Sequence, residues 1–322
     1  MRTRIQRRQP GPWHLALIAV AVFGAALGWL YWRQQSGLQS DARSLLAPLP
    51  RDRATIVYID AARLRRTGIL DLIAGSKAAE EADYRTFVEQ TGFDYRTDLD
   101  AVGASFNPSG SYFVLLGRFQ WPRLNAYANA QGGECRNGVC NVRDGASGRN
   151  ISFYPLSSGV LALAVNPGPW GVMSIAAGRA RISATLPPEP VWISAPAAVT
   201  AQMDQLPLAA GLLLAPLARA ETVTLALGAR GADFQMRLEA QCSSPEIAAT
   251  VTRQLAGALA ALRQAVSGND LGKQAGKNPA GERAGLSAVL AKGAWEQREA
   301  RVIGTWLLQR SFVVEFAGGQ IE

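Results

Sequence analysis

The stretch AVGASFNPSGSYFVLL, residues 101–116, decides how this chain folds. Two runs of strand-forming residues flank Asn107-Pro108-Ser109-Gly110, a composition that reverses chain direction. The reading is a β-hairpin. A second stretch, TVTLALGARGADFQMR at 222–237, aligns with it without a gap and places Val102 on Val223, Gly110 on Gly231 and Phe113 on Phe234. Identities are few, so the repeat rests on the order of elements around the two hairpins.

Working outward, TIVYID (55–60) reads as a strand and leads into AARLRRTGILDLIAG, where Leu64, Ile69, Leu70 and Ile73 mark a helix face. Its counterpart is PVWISAPAA (190–198), again strand into helix. Lys77 to Gln90 reads as a further helix. Downstream of the first hairpin, Pro122 opens a helix that runs to about Ala130; downstream of the second, Ser244 is an N-cap, Pro245 a first-turn residue and Glu246 suits the positive helix end. Ile247, Val251, Leu255, Leu259, Leu262 and Val266 follow at spacings of three and four, the pattern of an amphipathic helix. Strand 233–242 alternates Phe234, Met236, Leu238, Ala240 and Cys242 against polar neighbours, which turns Cys242 inward as an unpaired, quiet thiol.

NISFYPL (150–156) and VLALAVN (160–166) predict another strand pair, a short helix follows at 168–180, and Leu186-Pro-Pro-Glu-Pro190 marks a boundary. SGNDLGKQAGKNPAGERAG (267–285) has almost nothing to bury and reads as a mobile loop. The chain closes with a short helix near 286–292 and strands within Trp295 to Ala317, the last from the alternation of Phe312, Val314 and Phe316.

Ahead of all this lies WHLALIAVAVFGAALGWLYW, Trp13 to Trp32, without a formally charged side chain. At about 1.5 Å per residue it spans roughly 30 Å as a helix, and Trp13, Trp29, Tyr31 and Trp32 mark its ends as interfacial aromatics do. It reads as a transmembrane helix. Gly24-Ala25-Ala26 keeps open the alternative of a cleaved secretory signal. The fold class expected is therefore α+β: a transmembrane helix at 13–32 after a basic tail at 1–12, a tether at 33–50, and two related sheet-and-helix units at 51–186 and 187–322 with mainly antiparallel strands in the order strand, helix, hairpin, helix.

Of the 33 Lys and Arg residues, Arg2, Arg4, Arg7 and Arg8 precede the apolar stretch, leaving 29 against 25 acidic residues in the remainder. That balance offers no case for nucleic acid. The basic tail predicts a cytoplasmic N-terminus, a single pass through a bacterial inner membrane, and a periplasmic or other extracytoplasmic bulk. Partners expected are the lipid bilayer through Trp13 to Trp32 and a protein partner or second copy.

ECRNGVC (134–140) carries the sharpest local geometry. Asn137-Gly138 is a two-residue type I′ turn signal, and with those two as the loop Cys135 faces Cys140 as a non-hydrogen-bonded pair about 4.5 Å apart at Cα. A cross-strand disulfide fits, and an oxidising compartment lets it persist. The spacing C-x4-C is not that of a redox motif.

His14 is the only histidine, so a Ser-His-Asp or Cys-His nucleophile and a His-ligated zinc are excluded after the apolar stretch. No phosphate-binding, dinucleotide-binding or nucleophile-elbow motif occurs. Asp94, Asp98 and Asp100 are weak candidates for a hard-cation site or acid-base pair, against the plainer reading of a solvated turn. Arg63, Arg65 and Arg66 read either as an anionic-surface contact or as the wet face of a helix. No catalytic residue and no cofactor is assigned.

The TIVYIDAARL entry strand, the DLDAVGASF approach and SYFVLLGRF followed by Trp121-Pro122 resemble bacterial membrane-anchored proteins with one N-terminal helix and a repeated extracytoplasmic α/β unit. That resemblance implies an envelope location. Three functions follow as expectations: a non-catalytic structural or protein-interaction role, a small-molecule or lipid-binding module with an apolar pocket between sheet and helices, or a carboxylate- or metal-dependent enzyme.

Overall fold

Twelve strands hydrogen-bond into one antiparallel sheet in the computed structural model, which describes residues 42–70, 82–143, 148–177, 182, 185–197, 215–267 and 288–317. In chain order they are β1 (Thr55–Ile59), β2 (Leu99–Asn107), β3 (Gly110–Gly117), β4 (Glu134–Arg136), β5 (Val139–Arg143), β6 (Asn150–Ser157), β7 (Val160–Asn166), β8 (Val191–Pro196), β9 (Thr222–Arg230), β10 (Asp233–Gln241), β11 (Ala294–Arg298) and β12 (Arg301–Leu308). Across the sheet they run β11-β12-β10-β9-β8-β1-β2-β3-β7-β6-β5-β4. Helices packed on it include α1 (Ala61–Arg66), α2 (Ala82–Thr91), α3 (Tyr95–Asp98), α4 (Trp121–Ala130), α5 (Met173–Ala177), α6 (Pro245–Ser267) and α7 (Arg310–Ala317).

This corrects the expected fold class. A transmembrane helix followed by two sheet-and-helix units is not what the described residues form, because β1 pairs directly with β8 and makes a single sheet. None of the described helices is long and apolar enough to cross a membrane. The apolar stretch Trp13 to Trp32, the basic tail and the loop at 268–285 lie outside the described residues.

Within the one sheet the pairings recur in two matching sets that meet at the β1–β8 seam. On one side β1 pairs β2, β2 pairs β3 and β3 pairs β7; on the other β8 pairs β9, β9 pairs β10 and β10 pairs β12. Tyr58 lies opposite Gly103 and Ser194 opposite Thr224. With the two hairpins aligned as above, Gly103 meets Thr224, so Tyr58 corresponds to Ser194 rather than to Ile193. The sequence alignment of the entry strands is thus one residue out, which matters because a one-residue slip turns every side chain to the opposite face.

The two faces are covered differently. On one, α6 lays Ala248, Val251 and Leu255, all wholly buried, against the apolar set Val223, Phe234, Leu238, Ala240 and Val302. Each of the two larger side chains contributes roughly 1.5–3 kcal/mol on burial, so α6 is the chief apolar anchor of this half. Gly304 permits the edge-to-face contact of Trp295 and Trp306, whose centroids are 5.1 Å apart, since a Cβ there would lie 2.6 Å from both rings. On the opposite face, residues 45–50 cross β2: Leu45, Leu46 and Leu49 are buried beside Gly103, and the Ser105 hydroxyl donates to the Pro50 carbonyl.

The stretch expected as a last strand is instead helix α7, with Val313 buried and Phe312 packed on the core. So short an apolar run fits either a strand or a helix period, and packing of Phe312 and Val313 on the core goes with the helix. Cys242 lies inward as read, 2% exposed, and burial pushes its thiol pKa up.

The first side of the sheet carries a hairpin, β4–β5, at the outer edge beyond β6. Asn137 and Gly138 both adopt positive φ, 51° and 80°, and Cys135 pairs with Cys140 in register, Cα atoms 4.0 Å apart, as a disulfide. Replacing both cysteines with serine should lower unfolding stability by about 2 kcal/mol, the entropy of opening a loop of about six residues, without loss of the fold. Urea denaturation of the double variant beside wild type checks it.

Candidate functional site

Helix α4 is short, ten residues, and buries only Leu124 and Ala128. Its topological counterpart α6 has 23 residues and presents a row of large apolar groups. The shorter helix leaves a gap over the sheet. A cavity of about 590 Å³ lies there, between β5, β6 and β7 on one side and α4 with Phe87 of α2 on the other.

Its floor follows from strand alternation. Val142 pairs with Ile151 and Phe153 with Leu163, and with Leu161 these share one face of the sheet. The roof is Phe87, Leu124, Tyr127 and Ala128. Phe87 meets Tyr127 edge-on at 5.2 Å, so α2 and α4 close over the cavity as one aromatic wall. Gln131 and Arg143, both exposed, are the polar groups at the rim. Arg143 makes no ion pair with any described residue.

The disulfide packs against this wall. Cys140 is fully buried, its sulfur 3.3 Å from Asn125 Oδ1 of α4, and the Cys135 sulfur is 3.8 Å from the Asn125 carbonyl oxygen. The β4–β5 hairpin that supplies Val142 and Arg143 is thereby seated on the helix that supplies the roof. An oxidising compartment, outside the cytoplasm, is where such a bridge persists.

The three candidate carboxylates do not converge. Asp94 caps α3, accepting from the Arg96 backbone N–H at 2.9 Å and from its guanidinium at 2.7 Å. Asp98 pairs with Arg118 at 3.1 Å, and Asp100 with Arg65 at 3.7 Å. Each acid has its own arginine, and among the described residues no group of three or more His, Cys, Asp or Glu side chains gathers as metal ligands would. The arginine run after β1 is likewise structural in part: Arg63 donates to the Pro188 carbonyl at 2.8 Å and Arg65 to that of Arg96 at 2.6 Å.

Hydrogen bonding to the Arg96 guanidinium holds the Asp94 pKa down to about 2, against some desolvation in the other direction. Tyr84 donates its hydroxyl to Asp94 Oδ1 at 2.9 Å; burial first, and that bond second, push the phenol well above its usual value. A depressed carboxylate stabilises the fold above the unfolded pKa, near 3.8, and the contribution fades as pH falls through about 2. Arg96 is half exposed, so solvent screening reduces the effect to about 1 kcal/mol. Asp94→Asn keeps the cap but removes the charge. Urea titrations should show the variant less stable by about 1 kcal/mol at pH 7 and the difference shrinking as pH falls through about 2.

The cavity was not located by sequence reading, which foresaw an apolar pocket between sheet and helices without placing it. The available signal was the shortness and alanine content of 121–130 beside the long leucine-bearing helix at 245–267.

An antiparallel sheet with helices packed on it is the class the geometry defines. No protein-family model matches the chain, and no curated protein does. Among solved structures it is similar to TP0453: crystal form I, TM-score 0.46 at 12% identity, covering 86% of this chain and 97% of that one, and crystal form III, TM-score 0.43 at 12% identity, covering 85% and 96%. Crystal form IV gives a TM-score of 0.41 at 13% identity, covering 86% and 96%. Below a TM-score of 0.5 the likeness carries no weight for function.

Proposed function

We propose that the protein is a non-catalytic binding module that works outside the cytoplasm and holds an apolar ligand, of the kind presented by a single acyl chain, in the cavity beneath α4. The observation that carries this is the cavity itself: about 590 Å³, floored by Val142, Ile151, Phe153, Leu161 and Leu163. Small-molecule sites run from about 300 to 1,000 Å³ and are mostly apolar with few polar groups, which describes this space and its rim of Gln131 and Arg143. The disulfide supports the compartment. The enzyme reading loses its basis, because the acids it needs are engaged separately by Arg96, Arg118 and Arg65.

Apolar burial predicts a particular response to chain length. Each methylene moved from water into the cavity is worth about 0.8 kcal/mol, close to a fourfold gain in affinity, until the space is full. Saturated fatty acids of increasing length, competing with a fluorescent apolar probe, should show that rise and then a plateau. Leu163→Trp, which fills the floor, should weaken the longest chain at least tenfold with the unfolding midpoint preserved. No displacement at any length, or undiminished affinity in the filled variant, would refute the proposal.

A further inference from the structure

The face of the sheet opposite α6 carries a second concavity, about 420 Å³, at the seam between the two sets of strands. Register fixes its floor. Thr222, Gln241 and Arg301 lie side by side in one cross-strand row, and Thr224 and Glu239 in the next row on the same face. Arg51 and Trp192 contribute from the β1–β8 side. Arg51 and Arg301, 250 positions apart in the chain, are thus brought to one groove.

The charges there do not cancel. Glu239 is the one carboxylate among the residues lining it, and it accepts from Arg237 at 2.6 Å as well as from Arg301 at 3.4 Å. Arg237 alone balances it. Among the described residues Arg51 has only a neutral partner, the Leu46 carbonyl at 3.1 Å, and desolvation pushes its pKa below the ordinary guanidinium value. An anion would offset that cost.

The neutral groups point the same way. Trp192 is 3% exposed and lines the groove, and its buried indole Nε1–H has no hydrogen-bond partner among the described residues. A buried donor without an acceptor costs free energy, so such groups are normally satisfied. The Gln241 amide nitrogen is already donated to the Cys242 carbonyl at 3.1 Å. Among the described lining residues positive charge therefore exceeds negative charge and one buried donor lacks an acceptor, on a face with no part in the apolar cavity.

We infer that this groove binds a small oxyanion, a phosphate ester or a carboxylate, with Arg51 and Arg301 as its charged donors and Trp192 as its neutral one. Guanidinium groups suit both anions because their planar forks donate in pairs. The same chemistry is offered by a free phosphorylated molecule and by the headgroup of an anionic phospholipid.

The full chain labelled with ¹⁵N, its Trp192 indole signal assigned through Trp192→Phe, would be titrated at low salt with inorganic phosphate and with glycerol 3-phosphate. The indole signal should shift saturably, and Arg301→Gln and Arg51→Gln should each weaken binding at least tenfold, while Arg301→Lys recovers part of it. Arg301→Gln leaves Glu239 paired with Arg237, so the fold is kept, and an unchanged spectrum elsewhere verifies this. A signal that does not move saturably, or equal affinity in wild type and Arg301→Gln, overturns the inference. Sedimentation with phosphatidic acid vesicles separates the sources: arginine-dependent binding to them assigns a lipid headgroup, and binding of the soluble esters alone assigns a free ligand.

Discussion

Four register pairs, Ile56 to Ser194, Val57 to Ile193, Tyr58 to Trp192 and Ile59 to Val191, join the two sets of strands, and the rest of the structure depends on them. The ladder is reinforced on one face by stacking of Tyr58 on Trp192, centroids 5.8 Å apart. At its end the Asp60 N–H donates to the Pro190 carbonyl at 2.7 Å, and the Asp60 carboxylate caps α1. Burial raises the Asp60 pKa against the pull of that cap and of nearby arginines. The seam therefore sets where the sheet continues and where the first helix begins. Without it each set would expose a strand edge, a pairing surface that folded proteins cover.

On either side of the seam the same pairings support different coverings, and the differences create the two sites. Helix α6 fills its side with Ala248, Val251 and Leu255, leaving a packed core. Helix α4, shorter and with Ala128 where a large side chain would fill space, leaves a cavity. The β4–β5 hairpin closes that cavity laterally, pinned within itself by the disulfide, whose sulfurs pack against Asn125 of α4. Reversed faces show the reversed contrast: residues 45–50 cover β2, while the face of β9, β10 and β12 away from α6 keeps its polar rows open.

Local features were legible in the sequence because local chemistry dictates them. Asn137-Gly138 specifies its turn and thereby places Cys135 against Cys140; Ser244-Pro245-Glu246 starts a helix; the alternation through 233–242 turns Cys242 inward. What was not legible depends on pairing and packing between distant parts of the chain. The pairing of β1 with β8 joins residues more than 130 positions apart, and no local signal encodes it. The alternation of Phe312, Val314 and Phe316 suits a strand, but so short an apolar run fits either period, and the segment forms α7 with Phe312 and Val313 on the core. Asp94, Asp98 and Asp100 are close in sequence, yet the turn through α3 hands each to a different arginine. The groove needs Arg51 beside Arg301, a juxtaposition set by the seam.

Native-state hydrogen exchange along β1 and β8 tests the central claim, that one sheet is fused at this seam. Amides in core elements exchange only through global opening, whereas those in weakly attached units exchange through smaller ones. The seam amides of Val57, Tyr58, Trp192 and Ile193 should be as protected as those of the β2–β3 and β9–β10 hairpins and should share one opening free energy with them. Rapid exchange at the seam while both hairpins stay protected would show two independently stable halves and contradict the account.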